Sequence, residues 1–420
     1  MSRRNRGESR TTLPTRVALI CTPFPFLYPL LEGVIEGSRR FGPWFVEPIF
    51  NRPEDEFADY VLRHDFAGCI LTFDSPANTR ALRAGGLPTV LAGTPPVAEC
   101  DAPAVVPDDF AIGVLAAQHL WECGYRRFAF AGVAAGWAAD RYAGFADEVH
   151  RRDPRYPVQT NTRGNVGTDF PPAAEAGHLD NLQVFLRSLP EKTAVFAAHD
   201  ALARPLADAA LALGRNVPGD LAVVGVDNDA LCCLTGTIPL SSVDPNQRRI
   251  GFLAALTLDG LLNGQTDPPR LRRVTPLQVV RRQSTSLFAH DDPDIAAALR
   301  FIHDRACSDI TVNDVCQHVA MSRRNFEQRF RAAVGRSPAE EIRHLRIDRA
   351  KSLLTETDLT LQQITRRCGY RHLPALAAAF RRLTGTSPAA YRRDNGVRRP
   401  PAPSSPPAPP PPSPPPEGGE

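Results

Sequence analysis

A change of sequence pattern near residue 293 constrains the fold more than any other feature of the chain. Before it, short apolar runs rich in β-branched residues alternate with helical segments. The clearest strand runs are RVALICT (16–22), WFVEPIF (44–50), GCILTF (68–73), PTVLAG (88–93), RRFAFAG (126–132), KTAVFAAHD (192–200) and LAVVGVDN (221–228). This alternation predicts parallel βαβ units in a doubly wound α/β sheet, and residues 16–285 suffice for two similar lobes. From Pro293 to Arg393 the pattern is purely helical, which predicts an all-α domain.

The charge distribution separates the same two parts. Residues 321–399 carry 18 Arg or Lys against 7 Asp or Glu, a balance of +11, whereas residues 1–320 carry 31 against 37, a balance of −6. A basic module beside a mildly acidic body indicates that the helical end binds a polyanion.

Nine cysteines without a C-x-x-C pair favour reduced thiols in a cytoplasmic protein. No run of 18 apolar residues occurs, so no membrane span is expected.

The helical end contains an internal repeat, in which residues 311–340 match residues 360–390. Each copy starts on a threonine followed three residues later by Asp314 or Gln363, the pattern of a capping box. Each copy ends on Gly-x-Ser-Pro, in which glycine closes one helix and proline opens the next. A long amphipathic segment, 339–354, joins them. Tandem helix-turn-helix motifs that reach two stretches of major groove need this arrangement, and the alternative is a helical bundle with incidental symmetry.

The motifs SRRNFEQRFRAAVGRSP, LRIDRAKSLL and ITRRCGY…FRRLTGTSPAAYRR resemble, in this order, the DNA-binding domain of the AraC family of transcription regulators. The resemblance implies that double-stranded DNA is the partner, bound in adjacent major-groove segments. It implies that Arg324, Glu327 and Gln328 face the groove, where they suit guanine, cytosine and adenine. The other DNA contacts expected from it are Ser322, Arg323, Arg331, Arg371, His372, Arg381 and Arg382.

The second motif presents Pro374, Ala377 and Ala378 at the matching groove-facing positions. These side chains offer no hydrogen bond to a base edge. We therefore expect the second motif to hold the DNA backbone while the first motif reads most of the bases. The expected backbone contacts of the second motif are Arg371, Arg381 and Arg382.

Three segments, 108–132, 199–228 and 240–262, resemble the sensor domain of LacI-type repressors and periplasmic sugar-binding proteins. The resemblance implies a two-lobe fold of the periplasmic-binding-protein type (type I), with a sugar in its cleft. In open α/β sheets ligands lie at the carboxyl ends of the strands, where carboxylates accept hydrogen bonds from sugar hydroxyls and arginine donates to oxygens. The ligand-binding residues expected from it are Asp227, Asp200, Arg141, Phe24, Tyr28 and Trp137.

Four of the six ligand-binding assignments have an alternative. Asp227 could be a turn or helix-capping residue, and for the three aromatic side chains core packing is at least as good an explanation as contact with a sugar. His199, beside Asp200, is expected to be structural. The predicted organisation is a basic flexible tail (1–15), the sensor domain (16–285), a linker (286–292), the DNA-binding domain (293–395) and a proline-rich disordered tail (396–420).

A sensor of this type joined to an AraC-type reader resembles the pentose-responsive regulators of that family. The resemblance implies a homodimeric activator of a pentose (xylose-like) catabolic operon, acting on RNA polymerase in the cytoplasm. Motifs for phosphate cradles, zinc proteases, nucleophile elbows and dinucleotides are missing from the sequence, so neither enzymatic activity nor a cofactor nor a metal is expected. Two alternatives are a sugar-binding enzyme with a DNA-binding tail and a regulator that binds DNA independently of any ligand.

Overall fold

The structure is a computed structural model and describes residues 15–22, 27–42, 44–50, 56–73, 75–93, 102–161, 176–286, 292–357 and 359–395. The predicted tails, apart from Thr15, lie outside these residues, and so does most of the predicted linker. The chain divides into two compact units. One contains the residues up to Phe301 together with Val312–Pro338, and the other contains Ile302–Thr311 together with the residues from Ala339 onward.

The first lobe of the larger unit is built on a six-stranded parallel sheet. Its elements are β1 (Thr15–Cys21), α1 (Tyr28–Phe41), β2 (Trp44–Phe50), α2 (Ala58–Arg63), β3 (Gly68–Leu71), α3 (Pro76–Ala84), β4 (Thr89–Ala92), β5 (Ala104–Pro107), α9 (Gln247–Leu262) and β11 (Leu271–Val274). The strand order is β11-β5-β4-β3-β1-β2. The central strands are apolar along their whole length because helices cover both faces of a parallel sheet.

The second lobe is built on a second six-stranded sheet, in the order β12-β10-β9-β8-β6-β7. Its elements are α4 (Asp109–Glu122), β6 (Arg127–Ala131), α5 (Gly136–Arg152), β7 (Val158–Asn161), α6 (Ala176–Ser188), β8 (Thr193–Ala197), α7 (Asp200–Ala212), β9 (Leu221–Val226), α8 (Ala230–Leu234), β10 (Ser241–Asp244), β12 (Gln278–Val280) and a 3-10 turn (Gln283–Thr285). All its neighbours are parallel except β12, which is antiparallel to β10.

The chain crosses between the two lobes after β5, after β10 and after β11. These three crossings, together with the two predominantly parallel sheets, confirm the predicted two-lobe α/β fold of the periplasmic-binding-protein type. The carboxyl ends of β5 and β10 lie at crossings, so the residues that follow these strands stand at the junction of the lobes. Asp109 lies two residues after β5, and Asp244 is the last residue of β10, so both lie at this junction.

A glycine contact brings two helices close together in each lobe. In the first lobe, a Cβ on Gly33 of α1 would lie 2.0 Å from the carbonyl oxygen of Arg248 in α9. In the second lobe, a Cβ on Gly113 of α4 would lie 2.0 Å from the carbonyl oxygen of Arg141 in α5. Because any side chain at these positions would collide with backbone, the glycines set how closely the helices approach.

The C-terminal part is helical, as the sequence predicts. Its helices are α10 (Pro293–Arg305), α11 (Val312–His318), α12 (Arg323–Val334), α13 (Pro338–Glu356), α14 (Leu361–Arg367), α15 (Leu373–Thr384) and α16 (Pro388–Asn395). The first helix-turn-helix, α11 and α12, belongs to the larger unit with the sensor lobes, and the second, α14 and α15, belongs to the smaller unit. None of the described helices is long and apolar enough to cross a lipid bilayer.

The two helix-turn-helix motifs share their local structure. Residues Phe326 and Phe330 of α12, and Leu376 and Phe380 of α15, are fully buried at equivalent positions. Gly335 and Gly385 end these helices in the left-handed conformation, with φ of 80° and 76°. In the second motif, Thr360 accepts a hydrogen bond from the Gln363 amide while the Gln363 side chain accepts one from the Thr360 amide, which confirms the predicted capping box.

Candidate ligand cleft and DNA-binding surface

The loop after β9 has a strained backbone. Asp227 and Asn228 follow each other with φ of 105° and 51°, although neither is glycine. The Asp227 amide donates to the Val243 carbonyl oxygen (3.0 Å) and the Asn228 amide donates to the Ser242 hydroxyl (2.9 Å), so β10 holds the loop in this shape. Strain of this kind is concentrated at functional sites, and this loop lies at the carboxyl end of a parallel strand, where such sheets bind ligands.

Arg141 is the most deeply buried cation of the second lobe, with 2% of its surface exposed. Its Nε donates to Asp109 Oδ1 (2.8 Å), and its Nη1 donates to the Ala198 carbonyl oxygen (2.5 Å). The guanidinium lies 4.6 Å from the centre of the Trp137 ring. A buried charge needs such partners, and together they hold the guanidinium in one orientation.

Several carboxyl groups share the cleft around this arginine. Burial raises the pKa of Asp227 to about 6, and the neighbouring carboxylates of Asp109, Asp229 and Asp244 add to the rise, whereas Arg141 opposes it. Burial also raises the pKa values of Asp109 and Asp244. The region around Arg141 is therefore rich in hydrogen-bond acceptors, and it suits an uncharged ligand that carries several hydroxyl groups.

Asp200 lies behind this loop. Its Oδ2 accepts hydrogen bonds from the Asp229 amide (2.9 Å), the Ser242 hydroxyl (2.9 Å) and the Cys233 thiol (3.2 Å). Its Oδ1 faces Gly225 of β9, where a Cβ would lie 2.0 Å from it. Burial raises the pKa of Asp200 well above its ordinary range. These contacts hold the loop in place and occupy Oδ2, whereas the sequence predicts that Asp200 binds the ligand.

The aromatic residues of the expected site lie in different places. Trp137 lies beside Arg141 and 5.9 Å from the ring of His199, whose Nδ1 accepts from the Leu202 amide at the start of α7. His199 thus has a structural role, as expected. Tyr28 begins α1 in the first lobe with 61% of its surface exposed. Phe24 lies outside the described residues.

Three polar residues of this region were not predicted from the sequence, namely Asp109, Asp244 and Arg282. Arg282 Nη2 donates to Asn228 Oδ1 (2.7 Å), and Asp244 Oδ2 accepts a longer hydrogen bond from Asn228 Nδ2 (3.5 Å). Asp109 and Asp244 stand at or just beyond a strand end, which is the signal that could have revealed them. Their strands contain only four residues each, too few to stand out as a pattern.

In the first helix-turn-helix motif, Ser322, which precedes α12, is exposed, and so are Arg323, Arg324, Gln328 and Arg331 of α12. Arg324, Gln328 and Arg331 recur at helical spacing on one side of the helix. The same helix buries its apolar residues on the opposite side. Glu327 is half-buried and accepts from Arg323 Nε (2.9 Å). Arg324, Gln328 and Arg331 are therefore well placed to reach a partner from this helix.

In the second motif, Arg371, His372, Arg381 and Arg382 are exposed, as are Pro374 and Ala378. Arg371 Nη2 donates to Asp309 Oδ2 (2.8 Å), an ion pair that is exposed on both sides and is easily exchanged for a phosphate. This surface combines four basic or titratable side chains with apolar residues at the positions that match Arg324 and Gln328 of the first motif.

Two family models match the chain. A periplasmic binding protein-like domain matches residues 117–285, and a helix-turn-helix domain matches residues 315–394. With the two-lobe fold and the paired motifs, these matches define a transcription regulator that joins a ligand-sensor domain to an AraC-type DNA-binding domain.

Relatives that match most of the chain identify the kind of regulator more closely. The xylose operon regulatory protein of Haemophilus influenzae is 32% identical over 377 residues, which cover 86% of this chain and 94% of the relative. That of Escherichia coli K12 is 31% identical over 378 residues, 87% of this chain and 93% of the relative. The structure of the xylose-binding transcription activator xylR is 28% identical with a TM-score of 0.56, and covers 92% of this chain and 100% of its own. The chain belongs to this family of AraC-type transcription regulators, the xylose operon regulatory proteins, and not to a family of enzymes.

Proposed function

We propose that the protein is a sugar-responsive activator of a pentose catabolic operon. The observation that carries this proposal is the half-buried carboxylate of Asp227, held in a strained loop close to the oriented guanidinium of Arg141. A carboxylate in such a place accepts hydrogen bonds from vicinal hydroxyls, and an arginine donates to ring and hydroxyl oxygens. The xylose named for the relatives supports a pentose as the ligand.

Within this proposal the residues of the cleft have different roles. Asp227 and Arg141 contact the sugar, and Asp109 orients Arg141. Asp200 acts indirectly, because its Oδ2 accepts a hydrogen bond from the Asp229 amide and so holds the loop that carries Asp227. Trp137 forms part of the cleft wall, and Tyr28 supplies a further apolar wall.

The DNA-binding part of the proposal follows from the two motifs. Arg324, Glu327 and Gln328 read bases from α12, with Ser322, Arg323 and Arg331 on the adjoining backbone. In the second motif, Arg371, His372, Arg381 and Arg382 hold phosphates. As a homodimer in the cytoplasm, the protein would occupy paired operator half-sites and recruit RNA polymerase when sugar is bound.

A thermal-shift panel of pentoses and hexoses tests the ligand. We expect at least one pentose, D-xylose first, to raise the unfolding temperature of the native protein. Asp227→Ala should lose this rise, whereas Asp208→Asn should keep it, because Asp208 pairs with Arg204 at a distance from the loop. A panel in which no sugar stabilises the native protein, or in which Asp227→Ala responds as the native protein does, would refute the proposal.

A further inference from the structure

Glu122, the last residue of α4, joins the second lobe to the first helix-turn-helix motif. Its Oε2 accepts a hydrogen bond from Arg281 Nη2 (3.1 Å), just after β12, and another from Arg336 Nη1 (3.1 Å), in the turn that follows α12. One carboxylate oxygen thus binds an arginine of the sensor and an arginine of the DNA-binding motif. All three residues lie in the same compact unit.

This junction is partly shielded from water. The side chain of Arg336 is 11% exposed and that of Glu122 is 34% exposed. Beside it, a Cβ on Gly124 would lie 3.4 Å from the Ala333 carbonyl oxygen, so the loop after α4 lies directly against α12. Ion pairs in such a place are screened less by salt than ion pairs on an open surface.

Arg282, the neighbour of Arg281, contacts the Asp227–Asn228 loop. Its Nη2 donates to Asn228 Oδ1 (2.7 Å) and its Nη1 donates to the Leu240 carbonyl oxygen (2.8 Å). Asn228 is the residue after Asp227. Two consecutive arginines therefore connect the strained loop at the cleft with the carboxylate that holds the DNA-binding motif.

The backbone that carries these arginines is firmly held. The Ser241 hydroxyl accepts from the Arg282 amide (2.8 Å) and donates to the Arg282 carbonyl oxygen (3.0 Å). Thr285 Oγ1 bonds to Ser241 Oγ (2.7 Å) and to Nε2 of His119 (2.8 Å), which lies one turn before Glu122 in α4. Burial and the charges of Arg281 and Arg336 keep the pKa of His119 well below its ordinary range, so the ring stays neutral. The segment from Arg281 to Thr285 is therefore firmly bonded to β10 and α4.

We propose that Arg281, Arg282 and Glu122 transmit ligand binding at the Asp227–Asn228 loop to the first DNA-binding motif through Arg336. The inference rests on the proposed function, because it takes this loop as the place where the ligand binds. Coupling requires that the ligand favours one arrangement of an element that contacts both sites. The Arg281–Arg282 pair is that element, because Arg282 bonds to Asn228 and Arg281 bonds to Glu122, which holds Arg336.

The test is a double-mutant cycle on the full-length protein, read out by hydrogen exchange. Asn228→Ala removes the contact with Arg282, and Glu122→Gln weakens the contacts with both arginines while keeping the shape of the side chain. We expect Asn228→Ala to change amide exchange in residues 333–338 by about fivefold or more, the lower end of usual coupling between sites. In the Glu122→Gln background the same substitution should have no further effect there. Equal effects of Asn228→Ala in both backgrounds, or none in either, would overturn the inference.

A second arm uses D-xylose as the probe, with Asp208→Asn as the matched control for loss of one carboxylate. Native protein and Asp208→Asn should show slower exchange in residues 226–229 and altered exchange in residues 333–338. Glu122→Gln should keep the first effect and lose the second. Retention of both effects in Glu122→Gln would contradict the inference. If D-xylose slows exchange nowhere in the native protein, the assignment of D-xylose as the ligand fails, and the double-mutant cycle still decides the inference.

Discussion

At the scale of single residues, Asp227 combines two unfavourable features. Its φ of 105° lies in a region that residues with a Cβ rarely adopt, and its carboxyl group is buried among other carboxyl groups. Neither feature stabilises the fold. Strain of this kind occurs at functional sites, which agrees with the proposed contact between Asp227 and the sugar.

The raised pKa of Asp227 gives a prediction about pH and stability. Its folded-state pKa of about 6 exceeds the ordinary value of 3.8, so the carboxyl group opposes folding increasingly as the pH rises from about 4 to 6. Asp227→Asn should therefore raise the free energy of unfolding at pH 7 by about 2 kcal/mol, with no sugar present. The gain should vanish below pH 4. Thermal unfolding from pH 4 to pH 8 measures it, and a gain that does not depend on pH would contradict this explanation.

The turns of the two helix-turn-helix motifs provide a matched pair of substitutions. Ala320 has φ of 51° where the second motif has Gly369 with φ of 73°. Ala320→Gly should stabilise the protein by about 1 kcal/mol, because it relieves a left-handed alanine. Gly369→Ala should destabilise by more than this, because its Cβ would also lie 2.9 Å from the Cys307 carbonyl oxygen. Urea denaturation compares the two, and a loss of stability in Ala320→Gly would count against the conformation described.

At the scale of elements, α4 links the cleft to the DNA-binding motif. Its first residue, Asp109, orients Arg141, its last residue, Glu122, binds Arg336, and Gly113 between them contacts α5. The two ends of the helix therefore contact Arg141 of the proposed ligand site and Arg336 of the first DNA-binding motif.

Substitution of Gly113 tests how α4 positions Arg141. Gly113→Ala should destabilise the protein by about 2 kcal/mol, as overpacking does, and should weaken sugar binding more than tenfold because it displaces Arg141. Gly33→Ala is the control, since it makes the same 2.0 Å collision in the first lobe away from Arg141. Calorimetry of unfolding and of sugar binding separates the effects. An equal loss of sugar affinity in both variants would mean that only stability matters.

The two recognition helices should respond differently to the loss of an arginine. Arg324→Ala should lose about 1–3 kcal/mol of binding to the preferred DNA and relax the preference at one base pair. Arg381→Ala should weaken binding to all sequences alike and reduce the dependence on salt. Binding to a randomised library at two salt concentrations measures both effects. A changed consensus DNA sequence in Arg381→Ala would refute the prediction that the first motif reads bases while the second holds phosphates.

How far the sequence predicts this structure depends on the element. The run WFVEPIF matches β2 residue for residue, and the repeated Gly-x-Ser-Pro marks the ends of α12 and α15, because these signals are local. Asp109 and Asp244 were not predicted because the strands beside them contain only four residues each. The crossings between the lobes, which bring the two residues together, cannot be read from a local pattern. Whether the Asp200 side chain points to the cleft or back to Gly225 depends on packing, which sequence pattern does not encode.

At the scale of the whole molecule, the protein combines a two-lobe sensor domain with two helix-turn-helix motifs of different character. The first motif belongs to the same compact unit as the sensor and is bonded to it through Glu122 and Arg336. It also carries the exposed side chains that can distinguish bases, whereas the second motif carries mainly charge. A ligand signal would therefore act on the motif that reads the operator.

The most direct test of this account is the affinity of the full-length protein for DNA with and without sugar. A duplex selected by the protein from a random library is labelled, and its dissociation constant is measured by fluorescence anisotropy as D-xylose is added. The account predicts that saturating D-xylose changes the dissociation constant by about fivefold or more, and that Asp227→Ala abolishes the change while still binding the duplex. A dissociation constant that D-xylose leaves unchanged in the native protein, together with unchanged occupancy of paired half-sites, would contradict it.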